Sequence, residues 1–211
     1  VVCKTDGSIN NGFEIVFHPH TYQYATTEGK EAIENCLAEL RNRRFSGHNF
    51  GGMHIHVSRD SFTRLHLVKF HQLFKNAQAL FTKLSQRKAE KLNQWASFAN
   101  IGEMPGNNYS RYAALNYTEH TVEVRIFNST IRTERFFKNL EAVKAAIDYA
   151  KQSSLRELDD AHFLRYIMQN RSLYRNLSRF LVDKHEHIIT ANAIDARIIR
   201  QVQKQLTRPA G

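Results

Sequence analysis

The stretch GGMHIHVSRD, Gly51 to Asp60, sets two histidines, His54 and His56, on either side of one isoleucine and continues the alternation with Ser58. Successive side chains of a β-strand point to opposite faces, so His54, His56 and Ser58 share one face while Met53, Ile55 and Val57 share the other. The apolar face packs; the polar face must answer to something else. Gly51 and Gly52 leave room for a backbone or a ligand to approach closely. A lone histidine on such a face is most often a satisfied structural residue. Two at alternate positions, with a hydroxyl completing the row, also suit a shared cleft, and both accounts stay open at this point.

A second alternating stretch, TVEVRIFNSTIR, runs from Thr121 to Arg132. Strict alternation puts Val122, Val124 and Ile126 on one face and Glu123, Arg125 and Phe127 on the other. Glu123 and Arg125 could form a structural ion pair. They could equally hold a divalent cation and a phosphate, because hard cations take oxygen ligands and arginine grips phosphate in a bidentate fork. Arg111 and Arg132 would add positive charge nearby. A third stretch, TDGSINNGFEIVF from Thr5 to Phe17, carries turn residues around Asp6 and Asn10 and then places Glu14 in an apolar strand, where it either faces solvent or serves a site.

Outward from these motifs, VVCKTD reads as a strand and GFEIVFHP as another, stopped by Pro19. Residues 28–45 carry Ala32, Ile33, Cys36, Leu37 and Leu40 at helical spacing. Residues 61–92 read as one long amphipathic helix or two in series, and residues 97–110 as a surface loop. YAALNY and TVEVRIFNST read as two strands joined at Glu119 and His120. From Arg135 the pattern is helical, with breaks near 153–158, 170–172 and 184–187. The expected fold class is α+β, with strands and helices in residues 1–134 and a helical part, 135–211, packed on the same domain.

The 211 residues are 42% hydrophobic, enough for one well-cored domain. No stretch approaches the roughly 18 apolar residues of a membrane span, and no signal peptide opens the chain, so a soluble protein without membrane association is expected. Cys3 and Cys36 form no CxxC pattern, which argues against a disulfide scaffold or a thiolate zinc site and favours a cytoplasmic setting. The net charge of +10 divides evenly, +5 in residues 1–100 and +5 in 101–211, and suits a polyanionic partner or a phosphate-bearing substrate. The oligomeric state is left open.

Taken together, the motifs resemble a known set. GGMHIHVS is similar to the glutamine synthetase segment in which a glycine-rich turn leads into Met-His-x-His-x-Ser, and VEVRIF to that superfamily's Glu-x-Arg strand. DGSI, GFEIV, GGMHIHVSR and YAALNYTEHTVEVRIFNST, in this order over residues 1–132, resemble the amidoligases, carboxylate-amine ligases common in phage and bacterial gene clusters. The resemblance implies a curved antiparallel sheet whose concave face carries ATP and Mg2+ or Mn2+, with helices outside. It implies that His54, Glu123 and Glu14 are metal ligands. His56, Ser58, Arg59 and Arg125 would then contact the nucleotide, Arg125 and Arg111 would act as catalytic cations, and Asp6 and Asn116 would meet the substrate. The substrates would be a carboxylate and an amine, peptide or protein among them. One departure stands out. The family's first strand carries Gly-x-Glu-x-Glu, and in GFEIVF Val16 stands where the second glutamate would be. Since the chain opens at Val1 inside a strand and without methionine, the expectation divides between a strand lost from upstream and a degenerate site.

Two rival readings follow from the same residues. HIH is also the signature of metal-dependent single-strand nucleases, with Tyr109, Tyr112 and Tyr117 as candidate nucleophiles. A degenerate ligase fold could instead serve as a nucleic-acid-binding or virion component. For that role Arg171, Arg175 and Arg179, at spacings of four, would form a basic ridge on one helical face.

Overall fold

Turn residues and capping side chains cut the alternating and helical stretches into short elements. The computed structural model describes residues 1–5, 12–47, 51–106 and 111–191, with the backbone alone for 185–191. Asp6, the Asp-Gly-Ser-Ile turn and Tyr109 lie outside the described residues. The chain is α+β. Strand β1 (Val2–Lys4) pairs antiparallel with β2 (Glu14–Val16) in a two-stranded sheet. Helices α1 (Tyr22–Thr26) and α2 (Lys30–Asn42) follow, the first capped by the Thr21 hydroxyl, which accepts from the Tyr24 amide at 3.1 Å.

Strand β3 (Gly52–Ser58) belongs to a second sheet, with β4 (Leu115–Tyr117) and β5 (Thr121–Asn128). The order is β3-β5-β4, all antiparallel, so the Glu-x-Arg strand is central. Between β3 and β4 the chain forms α3 (Arg64–Asn76), α4 (Gln78–Ser85) and α5 (Ala89–Trp95). These are three helices where the periodicity suggests one or two: Ala77 leaves helical geometry, and Gln86 adopts a left-handed conformation with φ 55°. The start of the expected surface loop is no surface loop either. Ser97 bridges to Ala113, and the apolar Phe98 and Ile101 are buried in the core.

Helix α6 (Thr133–Gln152) carries an apolar stripe including Ala142, Val143, Ala145, Ala146 and Ala150, whose small side chains let neighbouring elements come close. It packs against α3, α4, α7 (Asp160–Gln169) and α8 (Arg175–Ala191). Helix α8 runs unbroken through residues 184–187, where a break is expected from the sequence. Its first turn is satisfied from another helix, since the Glu141 carboxylate accepts from the Leu177 amide at 2.7 Å and from Asn176 Nδ2 at 2.6 Å. Arg171 precedes α8, in the turn after α7, so the expected helical ridge of three arginines is not formed.

One hydrophobic cluster joins the sheet to these helices. Val122, Val124, Ile126 and Phe127 of β5 meet Phe70, Phe74, Phe81 and Leu84, together with Phe163, Leu177 and Leu181 from the last two helices. The rings of Phe74 and Phe81 stack with centroids 3.9 Å apart, and each such buried phenylalanine contributes about 2 kcal/mol by area. A smaller cluster of Ala25, Ile33, Leu37, Phe136 and Phe137 seats α1 and α2 on the start of α6. Among the described residues no helix is long and apolar enough to cross a membrane.

Lys138 of α6 is fully buried inside the larger cluster. Its Nζ donates to the Leu84 carbonyl, in the last turn of α4, and lies over the rings of Phe127 and Phe180 at 5.3 and 4.8 Å. Burial, helped by the charge of Arg135, pushes the ammonium down to about 7. The unfolded chain therefore binds more protons than the native state from about pH 7 up to the ordinary lysine value of 10.5, and stability rises with pH across that window. Urea unfolding between pH 7 and 9 should show this rise in the parent chain and a flatter profile in Lys138→Met.

Candidate functional site

The pairing register brings three strands' polar side chains into one row. His56 of β3 lies opposite Glu123 of β5, and Glu123 lies opposite Asn116 of β4. The register then slips: Met53 pairs with Phe127 but Ile55 with Val124, so β5 carries one extra residue opposite His54. The bulge keeps Arg125 beside Glu123 and turns Phe127 onto the Met53 face. That corrects the strict alternation expected for Glu123, Arg125 and Phe127, because one added residue inverts the faces beyond it.

Glu123 is the hub. Its carboxylate is 7% exposed; Oε1 accepts from His54 Nδ1 at 2.9 Å and from Arg125 Nη1 at 2.6 Å, and Oε2 accepts from Asn116 Nδ2 at 2.8 Å. His56 stands at the rim, 52% exposed, with Nε2 3.7 Å from Oε1 and Nδ1 3.2 Å from the Thr121 hydroxyl. Burial pushes the Glu123 carboxyl up, but the hydrogen bonds from His54 and Asn116 and the charges of Arg125 and His54 outweigh it and hold the group at about 2. Because His54 donates from Nδ1, a neutral ring presents Nε2 as an acceptor.

Of the residues expected at the site, His54, His56, Asn116, Glu123 and Arg125 come together. Of the others, those among the described residues do not join them. Ser58 spends its hydroxyl as the cap of a turn, accepting from the Asp60 amide at 3.3 Å, where a phosphate contact is expected from the sequence. Arg59 donates to the Thr118 carbonyl at 3.1 Å and so holds the β4–β5 turn. Arg111 donates to the Tyr112 hydroxyl at 2.6 Å and lies over that ring at 4.9 Å. Glu14 is exposed in the other sheet, opposite Lys4. Among the described residues, Glu14 makes no ion pair with His54, and no group of three His, Cys, Asp or Glu is set to hold a metal ion. The expected metal triad of Glu14, His54 and Glu123 is thus not assembled, because its members belong to sheets that do not pair.

Arg87 is the site residue that sequence reasoning misses. It follows the left-handed Gln86 at the end of α4, and its Nη1 donates to the Arg125 carbonyl at 3.1 Å. A Cβ at Gly52 would collide with Arg87 Nη2 and lie 3.0 Å from His54 Nε2. The glycine pair does signal a close approach, and the group that approaches is this guanidinium. Burial and the charge of Arg125 push Arg87 down to about 10. Arg125 Nε is itself buried, with no hydrogen-bond partner among the described residues. The cluster therefore holds two guanidinium groups against one carboxylate.

A carboxylate held at about 2 in the fold and protonating near 4.5 otherwise contributes stability that is fully present above pH 4.5 and is lost as pH falls toward 2. Glu123→Gln should flatten acid unfolding in that window. At pH 7 it should cost about 2 kcal/mol, because Arg125 loses a charged acceptor; urea midpoints from pH 2 to 7 give both readouts. No family model matches the chain, and no curated protein and no solved structure matches it, so the cluster is read on its own geometry.

Proposed function

We propose that the cluster around Glu123 is the phosphoryl-handling end of an ATP-dependent carboxylate-amine ligase, on a glutamine-synthetase-like sheet of the amidoligase kind. What supports this reading above all is the pairing of β3 with β5, which joins His-x-His and Glu-x-Arg on one face although 69 residues separate His54 from Glu123. These are parts of two of the four motifs that carry the family resemblance, and they lie far apart in the sequence.

The donor set is compatible with both cofactors. Arg125 has a buried Nε without a partner and can meet an anionic oxygen. His54 Nε2, turned away from Glu123, would be the ligand offered to a cation, with the Glu123 carboxylate behind the ring. Mg2+ or Mn2+ held there would offset the negative charge of the phosphates. In the proposed reaction a substrate carboxylate attacks the terminal phosphorus of ATP and expels ADP to give an acyl phosphate, and an amine then displaces inorganic phosphate, losing a proton, to leave an amide. Arg125 stabilises the charge on the transferring group, held in line by Glu123. Glu123 also fixes the His54 tautomer, the usual task of a carboxylate behind a ligating histidine. His56 at the rim faces the side from which a nucleotide enters.

The nuclease reading has less support. Tyr117 is half-buried, with its hydroxyl 2.8 Å from His71 Nδ1, and Tyr112 lies under Arg111 and edge-on to Trp95. The Tyr117 hydroxyl is thus engaged by His71, on a different element from the histidine pair.

The test is release of ADP by the full chain with Mg2+, ATP and mixed carboxylates and amines. Release should require both substrates, fall at least about 100-fold in Arg125→Ala, whose melting temperature drops because Glu123 loses its charged donor but whose fold is kept at the assay temperature by circular dichroism, and stay within about twofold in Tyr112→Phe. ATP with Mg2+ should raise the melting temperature. Neither turnover nor a thermal shift would favour the scaffold reading, with nucleic acid as partner. Metal-dependent nicking of single-stranded DNA that survives Arg125→Ala would favour the nuclease.

A further inference from the structure

We propose that Arg87 and Arg125 together form an oxyanion pocket over Gly52, which takes a phosphoryl or carboxylate group between the two guanidiniums. The pocket rests on the ligase reading for its identity as a nucleotide or acid subsite, though not for its existence.

Three observations carry it. Arg87 is held where it is: Nη1 bonds to the carbonyl of Arg125 itself, and Nη2 occupies the space that a side chain at position 52 would fill. Arg87 also lacks an acid. Among the described residues it makes no ion pair, and the carboxylate of the cluster, Glu123, is already engaged by Arg125, His54 and Asn116. Finally, Arg125 keeps a buried Nε–H without a partner.

Bringing two guanidinium groups together in a half-buried place is unfavourable in water-poor surroundings unless an anion lies between them. The depression of Arg87 by burial and by Arg125 expresses the same conflict. A guanidinium has five N–H donors in a planar fork, and Arg87 uses one of them, on the Arg125 carbonyl. The remaining edge suits the paired oxygens of a phosphoryl or carboxylate group. A merely structural arginine would need only its hydrogen bond to the carbonyl, a task glutamine could perform without charge.

The full chain is titrated calorimetrically, at low ionic strength, with inorganic pyrophosphate and separately with succinate. The parent chain should bind at least one of them, pyrophosphate if the group is phosphoryl and succinate if it is carboxylate. Arg87→Gln should weaken that binding at least about tenfold, with the melting temperature showing that the fold is kept. Gly52→Ala retains both arginines and displaces Arg87 from its seat, and it should weaken binding to a similar degree. Lys83→Gln, an exposed change on α4, should leave binding intact. Equal binding by the parent chain and Arg87→Gln would overturn the pocket, as would a folded parent chain that binds neither anion. Anion binding lost in Arg87→Gln, in a protein with no ATP turnover, would keep the pocket and remove the ligase. Turnover unaffected by Arg87→Gln would keep the ligase and remove the pocket.

Discussion

A carboxylate buried in the central strand of a three-stranded sheet must find donors or be expelled, and Glu123 finds three. Arg125 comes from its own strand, His54 from β3 and Asn116 from β4. The requirement is strict, since an ionised carboxylate left without partners in such a place would cost several kcal/mol. It ties sheet pairing to site geometry. Slipping β3 by one residue against β5 would carry both histidines to the core and Ile55 to the polar side.

The opposite face of the sheet sets how far this arrangement can relax. Val122, Val124 and Phe127 are sealed beneath α3, α4 and α6, and Asn139 of α6 reaches Met53 Sδ at 3.3 Å. Lys138 satisfies the end of α4 through the Leu84 carbonyl and lies over the Phe127 ring. The end of α4 is also where Gln86 turns left-handed and sends Arg87 toward the sheet. A buried lysine on one face thus helps position the guanidinium that arrives over Gly52 on the other.

What could be read from the sequence was what depends on neighbours along the chain. Alternation in GGMHIHVS and TVEVRIF identifies both strands and the shared face of His54 and His56, because a strand's period is local. The turn at Glu119 and His120 is local too, and β4 and β5 pair across it. The bulge in β5 was not legible: it arises from the register against β3, and no residue in VEVRIF announces it. Ser58 and Arg59 look like site residues because they continue a polar row, but the strand ends at Ser58, and a hydroxyl at a strand end is drawn to the nearest free amide. Arg87 failed for the converse reason. SQRKAE reads as the charged end of an amphipathic helix, and only tertiary packing brings one of its side chains to the site.

That contrast bears on the meaning of the net charge. An excess of +10 spread evenly along the chain says little about any one place on it. The cluster at the sheet is different in kind: its two guanidiniums are half-buried and only that of Arg125 meets a carboxylate, so its positive potential is concentrated and poorly screened. Exposed lysines and arginines attract any polyanion weakly and lose that attraction in salt. A recessed pair with fixed geometry selects a small oxyanion that fits between its forks, and its hold survives ionic strengths that dissolve surface attraction. The basic surface attracts anions in general; the pocket proposed over Gly52 would decide where one of them comes to rest.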